Sequence, residues 1–407
     1  MHCAICWELA KYTRLSTGDE TRLVAVPPQK SALDRLIALP LPPRCVNGYN
    51  RPMKLTIGAN GWPVIGHELT VGQLRRAVQS GAVAHAYLLS GPARIGKEHL
   101  ALTFAQALLC TAESSAKPCG HCRACTLVAQ RKHPDFLTLD MAWQGAMLPD
   151  KKSAQSITVD AVRLMNSELA RSPHEGHWKV LLVPEAEGLT TQAANAFLKT
   201  LEEPPDQVVI LMTSRDAELV LPTIRSRCQP LPMRPLPLSR VADALRQQGQ
   251  HSEERTRLLA RLSGGRIGWA LQAQRDDTLL TRRAEALEAH GRLLRANRAE
   301  RLLAAADLSK GDHALDMLQT WAGWWRDLLL VQSGAASRIS NIDQRAELDH
   351  LSHRLPPTAS RAFLRELQRL LAVLETTNAN GQLVWEVLLL KLPSLSGEWR
   401  MANGMTD

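Results

Sequence analysis

Aromatic side chains are scarce in this sequence: four phenylalanines, three tyrosines and ten tryptophans among 407 residues. A chain of this length is too long for one core, and two or three domains are expected. No run of about 18 uncharged apolar residues occurs, so no membrane-spanning helix and no membrane partner are expected. The N-terminus lacks the basic-then-apolar pattern of a secretory signal, which leads to the expectation of a cytoplasmic protein. Internal repeats and low-complexity segments are lacking too. No carboxylate pair is arranged for metal-assisted nucleotidyl transfer, so polymerase chemistry is not expected of this chain itself. Positive charge, by contrast, is plentiful. Lys and Arg number 49 against 40 Asp and Glu, a formal net charge of +9. Such a balance points to an acidic partner, most simply nucleic acid. Leu, Ala and Arg dominate the C-terminal half, which favours helices there.

The first 60 residues hold Val26-Pro-Pro, Leu39-Pro-Leu-Pro-Pro43 and one short apolar run, Leu33 to Leu39. That composition buries too little surface to offset chain entropy, so residues 1–60 are expected to be a disordered extension. Met53 opens Met-Lys-Leu-Thr-Ile, a plausible start, which would make residues 1–52 a start-site artefact or a tail. Cys3 and Cys6 form a C-x-x-C pair, but no second pair lies nearby to complete a tetrahedral site.

Order begins at Trp62-Pro-Val-Ile-Gly66-His67, with helical spacing from Leu69 to Gln79. The next stretch carries the most chemistry. An apolar run ending Tyr87-Leu-Leu-Ser90 leads into Gly91-Pro-Ala-Arg-Ile-Gly96-Lys97-Glu98 and then a helical pattern to Leu109. Strand, glycine loop and helix start are the context of a phosphate-binding loop. Gly91 and Gly96 let the backbone turn its N–H groups toward phosphates, and Lys97 and the helix N-terminus add positive charge. The Ser or Thr that would hold Mg²⁺ after the lysine is lacking, because Glu98 stands there.

Cys110, Cys119, Cys122 and Cys125 follow at C-x8-C-x2-C-x2-C spacing. Four thiolates so placed give the closed tetrahedral coordination of a structural zinc, with no open position for catalysis. A disulfide pair is the competing reading, disfavoured in a cytoplasmic chain. His121 is expected to point away. His133 to Asp140 reads as a second strand, 141–156 as a loop, and Ile157 to Ser172 as a helix with Thr158 or Asp160 near its cap. Lys179-Val-Leu-Leu-Val183 suits a buried parallel strand. It ends in Pro184-Glu185, where a working ATPase places an Mg²⁺-positioning Asp at the first position; Glu185 is where a water-polarising carboxylate would sit. A helix from Thr190 to Leu201 is stopped by Glu202-Glu203-Pro204-Pro205. Val208 to Met212 is a further strand, and Thr213 at its end could feel a γ-phosphate. Pro230 to Pro237 reads as a proline-rich linker. Three helices are expected after it, at Ser239–Gln248, at Glu253–Ser263 and from Gly264 onward. The region 278–393 is helical throughout. Its Trp321, Trp324 and Trp325 are read as core or subunit contact rather than base-stacking platforms.

His85-Ala-Tyr87, Gly91 to Lys97, the four cysteines, His133-Pro-Asp135, Leu198-Lys-Thr-Leu-Glu-Glu-Pro-Pro205 and Ser226-Arg227-Cys228 together resemble the bacterial clamp-loader subunits of DNA polymerase III, the delta-prime branch in particular. The resemblance covers about residues 62–235; zinc module, Leu-Glu-Glu-Pro-Pro and Ser-Arg-Cys are shared with gamma/tau. It implies an α/β AAA+ P-loop domain (61–235) with an inserted zinc knuckle (110–125), a small three-helix lid (236–277), an all-α collar domain (278–398) and a tail (399–407). It further implies gamma/tau, delta, the sliding clamp and primed DNA, bound without sequence preference, as partners in DNA replication. By that resemblance Arg227 is an arginine finger acting in trans, and Gly91, Gly96, Lys97 and Thr213 form a degenerate nucleotide site where ATP binding is doubtful. Active family members carry a sensing arginine where Gly268 stands; Arg266 is offset by two, about 200° around a helix. A non-catalytic subunit of a DNA-directed DNA polymerase holoenzyme (a nucleotidyltransferase complex) is therefore expected. The alternatives are a gamma/tau-like ATPase with an unusual metal site and a zinc-dependent nucleic-acid-binding protein.

Overall fold

The computed structural model describes residues 61–395 except 114–116, 152–153, 155, 250, 312 and 377–378. The expected disordered extension, the Cys3/Cys6 pair and the tail at 399–407 lie outside the described residues.

Five parallel strands form one sheet: β1 (Ala86–Ser90), β2 (Phe136–Thr138), β3 (Lys179–Val183), β4 (Val208–Ser214) and β5 (Gln229–Pro232), in the order β2-β3-β4-β1-β5. The central β4 is buried throughout and pairs with β1 from Ala86↔Ile210 to Ser90↔Ser214. Parallel strands covered on both faces need apolar residues at every position, which is why β3 and β4 read as unbroken apolar runs. Alternate residues feed separate layers. Tyr87, Leu89, Leu182 and Leu211 pack with Phe104 of helix α2 (Lys97–Leu109) on one face. Leu88, Leu181, Ile210 and Met212 pack on the other against α5 (Val159–Leu169) and α6 (Thr191–Glu202), through Met165 and Phe197. A helix α1 (Glu68–Ser80) precedes β1, and α3 (Arg123–Ala129) follows the cysteines.

Two segments differ from the sequence reading. The expected loop at 141–156 contains a helix, α4 (Met141–Met147). Asp140 caps it, its Oδ1 accepting the Trp143 N–H at 2.7 Å. The fully buried Gln144 then fixes the return, donating to the Ser156 carbonyl and accepting the Thr158 N–H at 2.8 Å. Thr158 is accordingly the N-cap residue of α5, but its hydroxyl bonds Gln144 rather than the helix. The second difference is the proline-rich stretch, whose first residues are strand β5. The Met233 N–H donates to the Ser90 carbonyl at 2.7 Å, so alternate residues face β1 and Pro230 and Pro232 fall between them. Neither proline removes a ladder bond, the condition under which an edge strand tolerates them.

After a short helix α7 (Pro222–Arg225) and β5, three helices share a second core of Val241, Leu245, Leu259 and Ala270: α8 (Leu238–Gln248), α9 (Glu253–Ser263) and α10 (Ile267–Arg275). Arg266 is the residue before α10 and not part of its spiral. Six more follow: α11 (Thr278–Arg295), α12 (Arg298–Ser309), α13 (Ala314–Gln332), α14 (Arg345–Ser352), α15 (Pro357–Thr376) and α16 (Gly381–Lys391). Their core is built on Trp321, Trp324, Trp325 and Trp385, all at most 1% exposed. The tryptophans are thus core. The Leu395 N–H still donates to the Leu294 carbonyl, so the ordered chain continues to the last described residue. No helix among the described residues is long and apolar enough to cross a membrane.

Candidate phosphate loop, metal centre and surface arginine

The loop between β1 and α2 is held on three sides. Gly91 has φ +151°, and a Cβ there would meet the Met233 carbonyl oxygen at 2.2 Å. Glycine is required at that position because the chain leaving β5 passes against it. Gly96 has φ +107°, again outside the range of other residues. The Lys97 ammonium donates to the Gly91 and Pro92 carbonyls at 2.5 and 2.9 Å. Burial lowers its pKa to about 8, against the raising influence of Glu187 and Glu185. The amine is therefore still charged at neutral pH, but it is committed to the loop's own backbone.

Glu98 points away from the loop. Its carboxylate pairs with Arg131, which follows the last cysteine's helix and has φ +55°. The side chain at the usual metal-binding position thus braces α2 against the cysteine module. On the other side of the loop, Thr213 is buried and its Oγ1 accepts the Glu185 N–H at 3.1 Å. Glu185 is exposed, with φ +51°, and one carboxylate oxygen lies 4.0 Å from Arg215. Helix α10 closes over the loop tip. The Trp269 N–H donates to the Arg94 carbonyl at 3.2 Å, and a Cβ on Gly268 would meet that same oxygen at 2.6 Å. No side chain fits at 268 with the helix seated in this way.

The four cysteine sulfurs lie within 4.8 Å of one another, and Cys110 Sγ is 3.9 Å from Cys122 Sγ. Tetrahedral zinc with bonds of about 2.3 Å needs sulfurs about 3.8 Å apart, so the set fits a metal ion such as zinc. Backbone N–H groups support the thiolates: Ala112 and Cys119 donate to Cys110, Cys122 to Cys119, and Cys125 to Cys122, at 3.3–3.5 Å. Burial raises the Cys110 thiol; at Cys122 burial is outweighed by N–H donors, which bring it down to about 6. His121 is exposed, with Nδ1 against the Cys119 carbonyl, and stands outside the cluster. One zinc per chain is expected by atomic absorption on protein purified without added metal. Cys125→Ser is expected to lose it and to speed amide exchange across 110–131, while the sheet amides stay protected; retention of full zinc by the variant would contradict this assignment.

A neighbouring device went unnoticed in the sequence. The buried Asp135 carboxylate accepts the N–H groups of His174, Glu175 and Gly176 at 2.5–2.8 Å. Burial opposes its charge, but the three donors win and hold its pKa below the usual range. His133-Pro-Asp135 is therefore a turn that anchors the entry to β3, with β2 starting only at Phe136. The motif was visible; its partner, about 40 residues on, was not.

Arg227 lies on the surface just beyond α7. Its Nη1 donates to the Thr223 carbonyl at 2.9 Å and to the Ser226 hydroxyl at 3.3 Å, and its Nη2 to Glu202 at 2.6 Å. The adjacent Cys228 is buried, its thiol pushed up to about 12. The structure thus gathers Gly91, Gly96, Lys97 and Thr213 around one loop and sets the metal cluster and Arg227 apart from it.

Residues 66–237 match the family described as DNA polymerase III, delta subunit, and 279–393 match its C-terminal counterpart. The delta-prime subunit of Pseudomonas aeruginosa is 35% identical over 327 residues, covering 77% of this chain and 93% of that protein. That of Escherichia coli is 30% identical over 321 residues, covering 79% and 92%. The chain belongs to the delta-prime subunit family of DNA polymerase III. As a delta-prime clamp-loader subunit it is also related to gamma/tau: the Mycobacterium tuberculosis protein is 35% identical over 176 residues, 43% of this chain and 28% of the relative. The delta-prime chain carries a five-stranded parallel α/β core, with the cysteine cluster inserted after α2 and helices at its C-terminal end.

Proposed function

We propose that this delta-prime subunit assembles with gamma/tau and delta, does not turn over ATP itself, and supplies Arg227 to the nucleotide site of a gamma/tau neighbour. The observation that carries the non-catalytic part is the seating of α10 on the phosphate loop, with no space for a sensing side chain at Gly268. Glu98 paired with Arg131 supports it, since a carboxylate there repels rather than assists a metal-bound triphosphate. For the finger, the support is chemical. A guanidinium stays charged, spans two phosphate oxygens and stabilises charge on a transferred phosphoryl group. The ring so completed would open the sliding clamp and place it on primed DNA. The excess of basic residues would contribute salt-dependent, sequence-independent affinity for that DNA.

The test is ATP turnover by a loader reconstituted with gamma/tau, delta, clamp and primed DNA, carrying either the unaltered subunit or Arg227→Ala. A finger supplies about 10³-fold or more at the one site it serves. The ring's rate should fall to that of its remaining sites, with assembly unchanged and the isolated delta-prime chain inert. Hydrolysis by the isolated chain, with the ring indifferent to the substitution, would favour the gamma/tau-like ATPase reading.

A further inference from the structure

The Leu201-Glu202-Glu203-Pro204-Pro205 run ends α6, and the fold gives its first glutamate a partner: Glu202 Oε1 accepts from Arg227 Nη2 at 2.6 Å across 25 residues. We propose that Glu202 is the positioning residue of the finger, fixing the plane of the Arg227 guanidinium before a neighbour's nucleotide arrives. This rests on the reading of Arg227 given above.

A guanidinium has five N–H donors in one plane. Three are committed within the chain, to the Thr223 carbonyl, the Ser226 hydroxyl and Glu202. Nε–H and one Nη2–H remain without an acceptor among the described residues. The Thr223 and Ser226 bonds both act on Nη1 and come from the same short turn as Arg227, so they fix one corner of the plane. Rotation about that corner is stopped only from outside the turn, and among the described residues Glu202 is the group that does so. The carboxylate is anchored at the last residue of α6, a twelve-residue helix packed through Phe197 and Leu201 into the sheet layer. The helix fixes the glutamate's backbone; its side chain is about half exposed and that of Arg227 about one-third, so the ion pair holds the two together at the surface. An exposed arginine otherwise samples many rotamers, and a pre-set plane leaves fewer to be lost when it engages phosphate. A glutamate at the last turn of a helix is unfavourable toward the helix dipole, so helix stability does not explain its presence there.

The same reconstituted loader tests this with Glu202→Gln, Arg227→Ala and the double variant, recording kcat and KM for ATP, assembly, and melting of the isolated chain. Glu202→Gln keeps the side chain's size but weakens its hold. The part of kcat that depends on Arg227 is expected to fall on the order of tenfold, as misplacement of a catalytic group does, with KM, assembly and melting unchanged. The double variant should be no slower than Arg227→Ala, because a positioning residue has nothing left to position. A normal or faster kcat for Glu202→Gln beside a slow Arg227→Ala would overturn this inference alone, as would additive losses in the double variant. A normal kcat for Arg227→Ala would overturn the finger itself.

Discussion

Replacing Arg301 with methionine is expected to destabilise the C-terminal helices by about 3–5 kcal/mol. Arg301 is 3% exposed, so its guanidinium is shut off from bulk water. It donates instead to backbone carbonyls: Leu293 at 3.0 Å, Leu389 at 3.4 Å, Pro393 at 3.2 Å, and Leu392. Leu293 lies in the last turn of α11, and Leu389 and Leu392 mark the end of α16. Two helix C-termini thus turn carbonyls, of which Leu293 and Leu389 also accept a backbone N–H, and the negative ends of their dipoles toward one buried cation. Methionine fills the space but removes the guanidinium N–H groups from all four oxygens, leaving Leu293 and Leu389 only their backbone donors. Denaturant unfolding followed by tryptophan fluorescence measures the loss. A change below about 1 kcal/mol would mean that water replaces the guanidinium.

A second large effect is expected on acidification, and it centres on His290. The ring is fully buried, with centroids 4.7–5.7 Å from those of Trp321, Trp324 and Trp325, and its Nε2 accepts the Trp325 indole N–H at 2.9 Å. Burial lowers its pKa from 6.5 to about 3. The unfolded chain therefore takes up a proton below pH 6.5 that the folded chain refuses, and stability falls as pH falls through that window. Between pH 6.5 and 4.5 this group withdraws roughly 2–3 kcal/mol. His67, His99 and His133 are lowered too, in the same direction and also by burial. His290 is isolated by comparison with His290→Gln, which keeps an acceptor for Trp325 but does not titrate. The variant should lose less stability than the unaltered protein across the window. Parallel pH profiles would show that the ring protonates in place.

The parts legible in the sequence were those whose chemistry is local. A glycine loop followed by lysine, four cysteines at knuckle spacing, and apolar runs for β3 and β4 carry their meaning within a few residues. What stayed hidden depends on a distant partner. Nothing near Glu98 announces Arg131, nothing near Asp135 announces the turn at 174–176, and Glu202 gains significance only when α6 ends beside Arg227. Composition misled in the two segments that differed. Proline argued for a linker at 230–237, since propensity cannot tell which side of a strand a missing N–H would face. The stretch from 141 lacks a long apolar period, and its helix rests on one cap and one buried glutamine.

The direction of those prolines decides how the sheet meets other molecules. Because Met233 turns its N–H inward to Ser90, the nitrogens of Pro230 and Pro232 sit on the outer margin, where an incoming strand would look for donors. It finds none at either residue. The opposite margin, β2, is only three residues long. Neither border offers a template for β-pairing, so the sheet is guarded against zipping to another chain strand by strand. Its associations are left to side chains.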